Sequence, residues 1–291
     1  MRGRVLRVSG QNCLVQVDGR PQQCRMRGRL KEGVRTSNSP VIAGDWVQLA
    51  PETNANGLVI ERVEERSTHF TRASSGAKPF EQIIAVNIQQ LVVVVAAKRP
   101  ALRPGFIDRA IVSALRGNLK PLVVINKMDL DDGGAVRAQL SYYADLHYPI
   151  LFTSAQSGEG VDAFRDALAG SESAIVGQSG VGKSSLLNCV EPNLSLRTRE
   201  IMAQHDRGRH TTTAVELYPL SLGGYVADTP GIKELHLSGI ERGELARYFI
   251  EFMPLIDGCR FRNCLHLTEP DCAVRNALVD GKLSEARYAS Y

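Results

Sequence analysis

Two hydrophobic rhythms divide the chain. Over the first 65 residues, short runs alternate or carry β-branched side chains: 4–9 (RVLRVS), 12–17 (NCLVQV), 46–50 (WVQLA) and 58–63 (LVIERV). Period-two patterning of that length, with Asp18-Gly19 as a hairpin signal, predicts strands joined by tight turns. Few helical periodicities compete, so residues 1–65 are expected to form a small β-barrel of the oligonucleotide-binding (OB-like) type. Such barrels present one face and two loops to nucleic acid. The polar stretch 66–80 (RSTHFTRASSGAKPF) reads as a linker.

From residue 81 the pattern changes. Continuous apolar runs at 91–97 (LVVVVAA), 122–126 (LVVIN), 150–153 (ILFT) and 174–177 (AIVG) are of the kind buried on both faces of a parallel sheet. Helical stretches at 106–116, 135–146 and 161–168 lie between them. Runs 215–219 and 225–228 add two strands joined by Gly223-Gly224. Residues 81–237 are therefore expected to form a doubly wound α/β domain. Residues 238–291 read as a helical module interrupted by a Cys/His cluster, and no internal repeat is found.

Composition changes this picture little. The 291 residues are 43% hydrophobic and 23% charged, ordinary for a globular protein. That excludes a disordered, collagen-like or coiled-coil chain. The longest apolar run, 91–97, is far short of the ~20 residues of a membrane span. Arginines interrupt any leader core in MRGRVLRVSG, so a soluble cytoplasmic protein with no membrane partner is expected. Charge is more informative. Residues 1–80 carry 13 Lys/Arg against 7 Asp/Glu, while the rest of the chain is slightly acidic. A basic N-terminal segment on a neutral body suits a polyanion partner, and equally a solvated face.

The chemistry concentrates at strand ends. Gly177-Gln178-Ser179-Gly180-Val181-Gly182-Lys183-Ser184, followed by Ser185, is a complete G-x-x-x-x-G-K-S loop between a strand and a helical stretch. Its glycines let backbone N–H groups turn around phosphates. Lys183 can neutralise β/γ-phosphate charge and the Ser184 hydroxyl can ligate Mg²⁺. Asn126-Lys127-Met128-Asp129 resembles the N-K-x-D element of GTPases. There Asp129 would accept hydrogen bonds from guanine N1 and its 2-amino group, and an adenine would leave the carboxylate unpaired. Thr153-Ser154-Ala155 resembles the short element that supports the base. Asp228-Thr229-Pro230-Gly231 resembles D-x-x-G, with Asp228 holding Mg²⁺ through water and the Gly231 N–H sensing the γ-phosphate.

The order is unusual: the base-reading elements at 126 and 153 precede the phosphate loop at 177 and D-T-P-G at 228. This predicts a circularly permuted GTPase domain, which closely spaced surface termini permit. Residues 191–213 form a long polar segment of the kind that is functional or mobile. Thr211, Thr212 and Thr213 are candidates for the Mg²⁺-completing switch threonine, with Thr212 preferred. Ile232 occupies the place where many GTPases carry a water-orienting glutamine, and an aliphatic side chain cannot do that. His210 is then the candidate catalytic group, although a solvent-exposed loop histidine would read the same way.

Of six cysteines, Cys13, Cys24 and Cys189 stand alone and read as packing residues. Cys259-x4-Cys264-x-His266-x5-Cys272 is a Cys₃His set suited to tetrahedral Zn²⁺, with no open ligand position.

Taken in sequence, these motifs resemble the ribosome small-subunit-dependent GTPase A family of bacteria over essentially the whole chain. The resemblance implies a late-acting maturation factor that binds the 30S subunit through 16S rRNA and hydrolyses GTP when docked there; a monomer with no DNA partner is expected. It implies nucleotide binding (GTP or GDP, with Mg²⁺) by Gly177–Ser185 and Asn126–Asp129. It further implies zinc at Cys259, Cys264, His266 and Cys272, and a catalytic role for His210. Relatives often continue beyond the position of Tyr291. Two other readings remain: a different RNA-linked GTPase, against which the permuted order speaks, and a GTP-gated RNA-binding module whose hydrolysis is incidental.

Overall fold

The computed structural model describes residues 1–31, 39–52, 57–73, 81–192, 194, 215–228, 235–237 and 239–291. The alternating N-terminal segment forms β1 (Arg2–Ser9), β2 (Asn12–Val17), β3 (Arg20–Met26), β4 (Trp46–Pro51) and β5 (Leu58–Val63). β1 pairs with β2, β2 with β3, β3 with β5 in parallel, β5 with β4, and β4 returns to β1. The sheet is closed, and no barrel edge is left open. Inside it pack Val5, Cys13, Val15, Cys24, Val47, Leu49 and Ile60. Cys13 and Cys24 sit opposite each other in the β2–β3 register, as core thiols. β3 has no counterpart among the expected strands. Its sequence, RPQQCRM, sends only Cys24 and Met26 inward and leaves the remainder exposed, so alternation over four or more apolar positions never develops.

The stretch expected as linker contains β6 (His69–Ala73), which pairs antiparallel with β7 (Glu81–Val86). Phe70 is its one fully buried side chain, which explains why its pattern reads as polar.

The second domain is a six-stranded sheet. β8 (Gln90–Ala96), β9 (Lys120–Asn126), β10 (Ile150–Phe152), β11 (Glu172–Val176), β12 (Glu216–Pro219) and β13 (Tyr225–Asp228) run in the order β10-β9-β8-β11-β13-β12. All neighbours are parallel except the β12–β13 hairpin. Helices cover both faces: α1 (Pro104–Arg116), α2 (Ala135–Gln139), α3 (Ser141–Asp145), α4 (Val161–Leu168) and α5 (Lys183–Val190). The single helix expected over 135–146 is broken at Leu140, where ψ is 8°. The interior runs of β8 and β9 are almost wholly inaccessible, which is why they read as continuous rather than alternating. β12 also joins β1, at Arg7 opposite Glu216, so barrel and sheet form one eleven-stranded surface.

The C-terminal part carries α6 (Met253–Ile256), α7 (Ala273–Val279) and α8 (Glu285–Ser290) around Phe249, Phe252, Val274 and Cys272. No described helix is long and apolar enough to cross a membrane.

Candidate nucleotide and metal sites

β11 ends at Val176, and the chain turns through Gly177–Gly182 into α5. The loop thus lies at the carboxyl ends of the parallel strands, where open α/β sheets hold ligands. Two glycines are required by contact. A Cβ on Gly177 would stand 2.2 Å from the Val94 carbonyl oxygen, and one on Gly182 (φ 93°) 2.3 Å from Asn126 Nδ2. Val181 is buried between them and anchors the loop, while Ser179, Gly180, Ser184 and Ser185 face solvent. Lys183 Nζ donates to the carbonyls of Gly177 (2.8 Å) and Gln178 (3.1 Å).

Asn126, the last residue of β9, braces three segments at once. Its Nδ2 donates to the Val181 carbonyl at 2.8 Å, and its Oδ1 accepts from the Ala155 N–H and the Thr153 hydroxyl, each at 3.3 Å. It is 1% exposed, so losing these partners would strand a buried amide. Lys127 takes a left-handed φ of 64°, and its ammonium donates to the carbonyls of Gly180 (2.6 Å) and Arg99. Met128 packs into the core beneath, and Asp129 projects outward. The Asp129 carboxylate accepts the Ser154 hydroxyl at 2.5 Å. Ser154 is itself fully buried and accepts the Ser157 N–H.

These residues line a cavity of about 360 Å³ that includes Asn126, Lys127, Asp129, Ala155, Gly182 and Ser185. An oriented carboxylate stands at one end. At the other are an ammonium, a helix N-terminus and a glycine loop. The arrangement suits a ligand with a planar, donor-rich head and a polyanionic tail. Arg99 also lines this cavity. Sequence reasoning passed over it, because it follows β8 without any motif; only the fold brings it beside Lys127.

The backbone of Asp228 ends β13 beside β11, opposite Ile175, two residues before Gly177. D-T-P-G therefore begins next to the phosphate loop. The Asp228 side chain, His210, Thr211, Thr212, Thr213, Gly231 and Ile232 lie outside the described positions.

The four metal-type donors converge, all within 4.8 Å of one another. His266 Nδ1 is 3.5 Å from Cys259 Sγ and 3.4 Å from Cys272 Sγ, and these two sulfurs are 3.9 Å apart. A tetrahedral Zn²⁺ at ordinary bond lengths separates N and S ligands by about 3.6 Å and two sulfurs by about 3.8 Å. The set therefore fits zinc, and its cysteines form no disulfide. Burial, reinforced by the Cys272 and Cys259 sulfurs, pushes the Cys264 thiol up to about 12, and burial lowers the His266 imidazole. Glu269 fixes the ligand loop by accepting the backbone N–H groups of Leu265 (2.8 Å), Leu267 (3.0 Å) and Thr268 (3.1 Å).

Residues 63–238 match the family model RsgA GTPase, and residues 2–59 match RsgA N-terminal domain. The chain belongs to the RsgA GTPase family. It is similar to the small ribosomal subunit biogenesis GTPase RsgA of Gemmatimonas aurantiaca, with 41% identity over 91% of this chain and 87% of that one. The RsgA of Bacteroides fragilis strain ATCC 25285 is 36% identical over 100% of this chain and 95% of its own. Among solved structures, YjeQ from Thermotoga maritima matches with a TM-score of 0.79 at 34% identity, covering 100% of this chain and 95% of that one. YloQ, described as a circularly permuted GTPase, matches with a TM-score of 0.73 at 29% identity, covering 100% and 92%. The motif order and the barrel in front are thus shared RsgA architecture, and this member is a GTP hydrolase.

Proposed function

We propose that this chain is a cytoplasmic, monomeric GTPase that binds the 30S ribosomal subunit through 16S rRNA and assists its late maturation, with hydrolysis stimulated by the subunit. The reading is supported by similarity over the full chain to proteins named for small-subunit biogenesis. The division of labour follows the sequence boundaries. Residues 1–65 meet RNA, 66–80 connect, 81–237 bind and hydrolyse GTP, and 238–291 hold one structural zinc.

The observation that carries the nucleotide assignment is the Asn126 brace. It ties the base-reading Asp129 segment to the phosphate loop, so base and triphosphate are read by one rigid unit. In this assignment Asp129, oriented by Ser154 and with Ala155 alongside, reads guanine. Lys183 and the N–H groups of residues 177–185 hold the phosphates. Ser184, Asp228 and Thr212 serve Mg²⁺, which would supply charge neutralisation at the β- and γ-oxygens. The Gly231 N–H senses the γ-phosphate, and His210 orients the attacking water. Cys259, Cys264, His266 and Cys272 hold Zn²⁺, which folds the C-terminal loop without joining the chemistry.

The decisive measurement is GTP turnover by the full chain with and without purified 30S subunits. Stimulation is expected, and equal turnover would return the chain to a GTP-gated binding module.

A further inference from the structure

Barrel and nucleotide sheet meet along β1. Arg7 of β1 lies in register with Glu216 of β12, Glu216 with Asp228 of β13, and Asp228 with Ile175 of β11. One transverse row therefore runs from the barrel to the strand that ends in the phosphate loop. It passes through the residue that opens D-T-P-G. The first link is also made by side chains: Arg7 Nη1 is 3.2 Å from Glu216 Oε2. The Glu216 side chain is only 11% exposed, and among the described residues its other partner is the Tyr218 hydroxyl at 3.4 Å on the same oxygen.

Arg7 has a second face. With Ser9, Asn12, Gln23 and Arg25 it lines an open groove of about 600 Å³ on the outside of the barrel. Among the described residues donors predominate there, and the carboxylate of Glu52 stands 3.9 Å from Arg25. A guanidinium offers five donors in a planar fork, and among the described residues Arg7 is met by Glu216 alone, which leaves most of them for another acceptor.

We propose that Arg7 couples the two domains by partner exchange: a phosphate of RNA lying in the barrel groove competes with the Glu216 carboxylate for the Arg7 guanidinium. An RNA phosphate can take the fork bidentately, whereas Glu216 meets it through a single contact of 3.2 Å. Glu216 is then left mostly buried without its counter-charge, which β12 must relieve by moving. That movement is delivered across the register to Asp228. Linkage makes the effect reciprocal, so any nucleotide state that shifts this row changes RNA affinity by the same factor. The inference rests on the reading of the chain as an RNA-binding GTPase, and it assigns that reading a residue pair.

The test measures 30S affinity of the full chain with GDP and with a non-hydrolysable GTP analogue, at several salt concentrations. Wild type is expected to bind differently in the two states. Glu216→Gln, nearly isosteric, should bring the ratio of the two affinities about fivefold or more closer to one. It should also tighten the weaker state and steepen its log–log salt slope by about 0.7–0.9, the signature of one further phosphate contact. Arg7→Lys keeps the charge but not the fork, and should give an intermediate ratio; it carries the test if Glu216→Gln does not fold. A wild-type ratio and slope in both variants would overturn the coupling. Wild type that binds subunits equally in both states removes the coupling alone. Wild type that binds no subunit in either state removes the RNA reading and the coupling with it.

Discussion

Arg287 Nη1 lies 2.5 Å from Asp108 Oδ1, and both side chains are 1% exposed. The pair joins α8, almost at the last residue, to α1 of the nucleotide domain. Glu251 closes the guanidinium from the other side at 2.6 Å, and the Tyr143 hydroxyl donates to the same Asp108 oxygen. Burial alone would lower the Arg287 pKa; Glu251 and Asp108 more than reverse it and hold the charge in place. Removing one member of such a buried cluster leaves an uncompensated charge and costs about 3–5 kcal/mol. Arg287→Ala is therefore expected to lower stability by that amount in denaturant unfolding and to loosen residues 245–291 in hydrogen exchange. A loss under 1 kcal/mol would mean that the anchor lies elsewhere.

Gly182 is where the phosphate loop touches the base-reading segment. Gly182→Ala would place a methyl 2.3 Å from Asn126 Nδ2 at a φ of 93°. The strain alone is about 1–2 kcal/mol, before Asn126 is displaced. Nucleotide affinity should fall at least about tenfold, read by titration with a fluorescent GTP analogue. Guanine and phosphate contributions should fall together, so guanosine affinity is expected to drop as well.

Asp129 accepts from Ser154 and faces the cavity. Asp129→Asn should weaken GTP by about 10–100-fold, as expected for losing hydrogen bonds to a charged acceptor, and should favour xanthosine triphosphate. Unchanged GTP affinity would show that this carboxylate does not read the base.

The Glu269 carboxylate is held down to about 2, first by the Leu265 N–H and then by its own and those of Thr268 and Leu267. A depressed carboxylate contributes above its unfolded pKa, near 4.5, and that contribution is lost as pH falls toward 2. Glu269→Ala should let a chelator extract zinc about 10–100-fold more readily, as loss of an outer-shell partner does. Elemental analysis finding no zinc in purified wild type would remove the site.

For His210 the expectation rests on sequence. His210→Ala should keep GTP and 30S binding but lose about 10²–10⁴-fold of subunit-stimulated turnover. Stimulation equal to wild type would make the histidine an ordinary loop residue.

The legible parts of this molecule are those whose partners are close in sequence. Residues 177–184 announce a phosphate loop because four residues, Gly177, Gly182, Lys183 and Ser184, must fall at fixed spacing between a strand and a helix. Cys259 to Cys272 span only 14 residues. The continuous apolar runs of β8, β9 and β11 announce their own burial. What escaped reading is long-range or averaged out. Arg4 is 2% exposed, pairs with Glu172 and donates to the Asn87 carbonyl at 2.8 Å, yet in sequence it is one arginine among several near the N-terminus. Arg7 and Glu216 are 209 residues apart, Asp108 and Arg287 179. Nothing local distinguishes such residues from solvated charges. β3 escaped for a different reason: a strand on a closed barrel needs only two inward side chains.

The contact between β1 and β12 also bears on how the chain is made. β1 spends residues 2–4 on closing the barrel against β4 and offers Arg7 to β12. The barrel is complete by Val63, more than 150 residues before β12 leaves the ribosome, so a folded surface awaits that strand when it emerges. A shortened chain lacking the barrel would present β12 as an outer strand with unpaired N–H and C=O groups, a template for association with other copies. At the Arg7–Glu216 pair the N-terminal domain thus covers the start of the outer strand of the sheet that follows it.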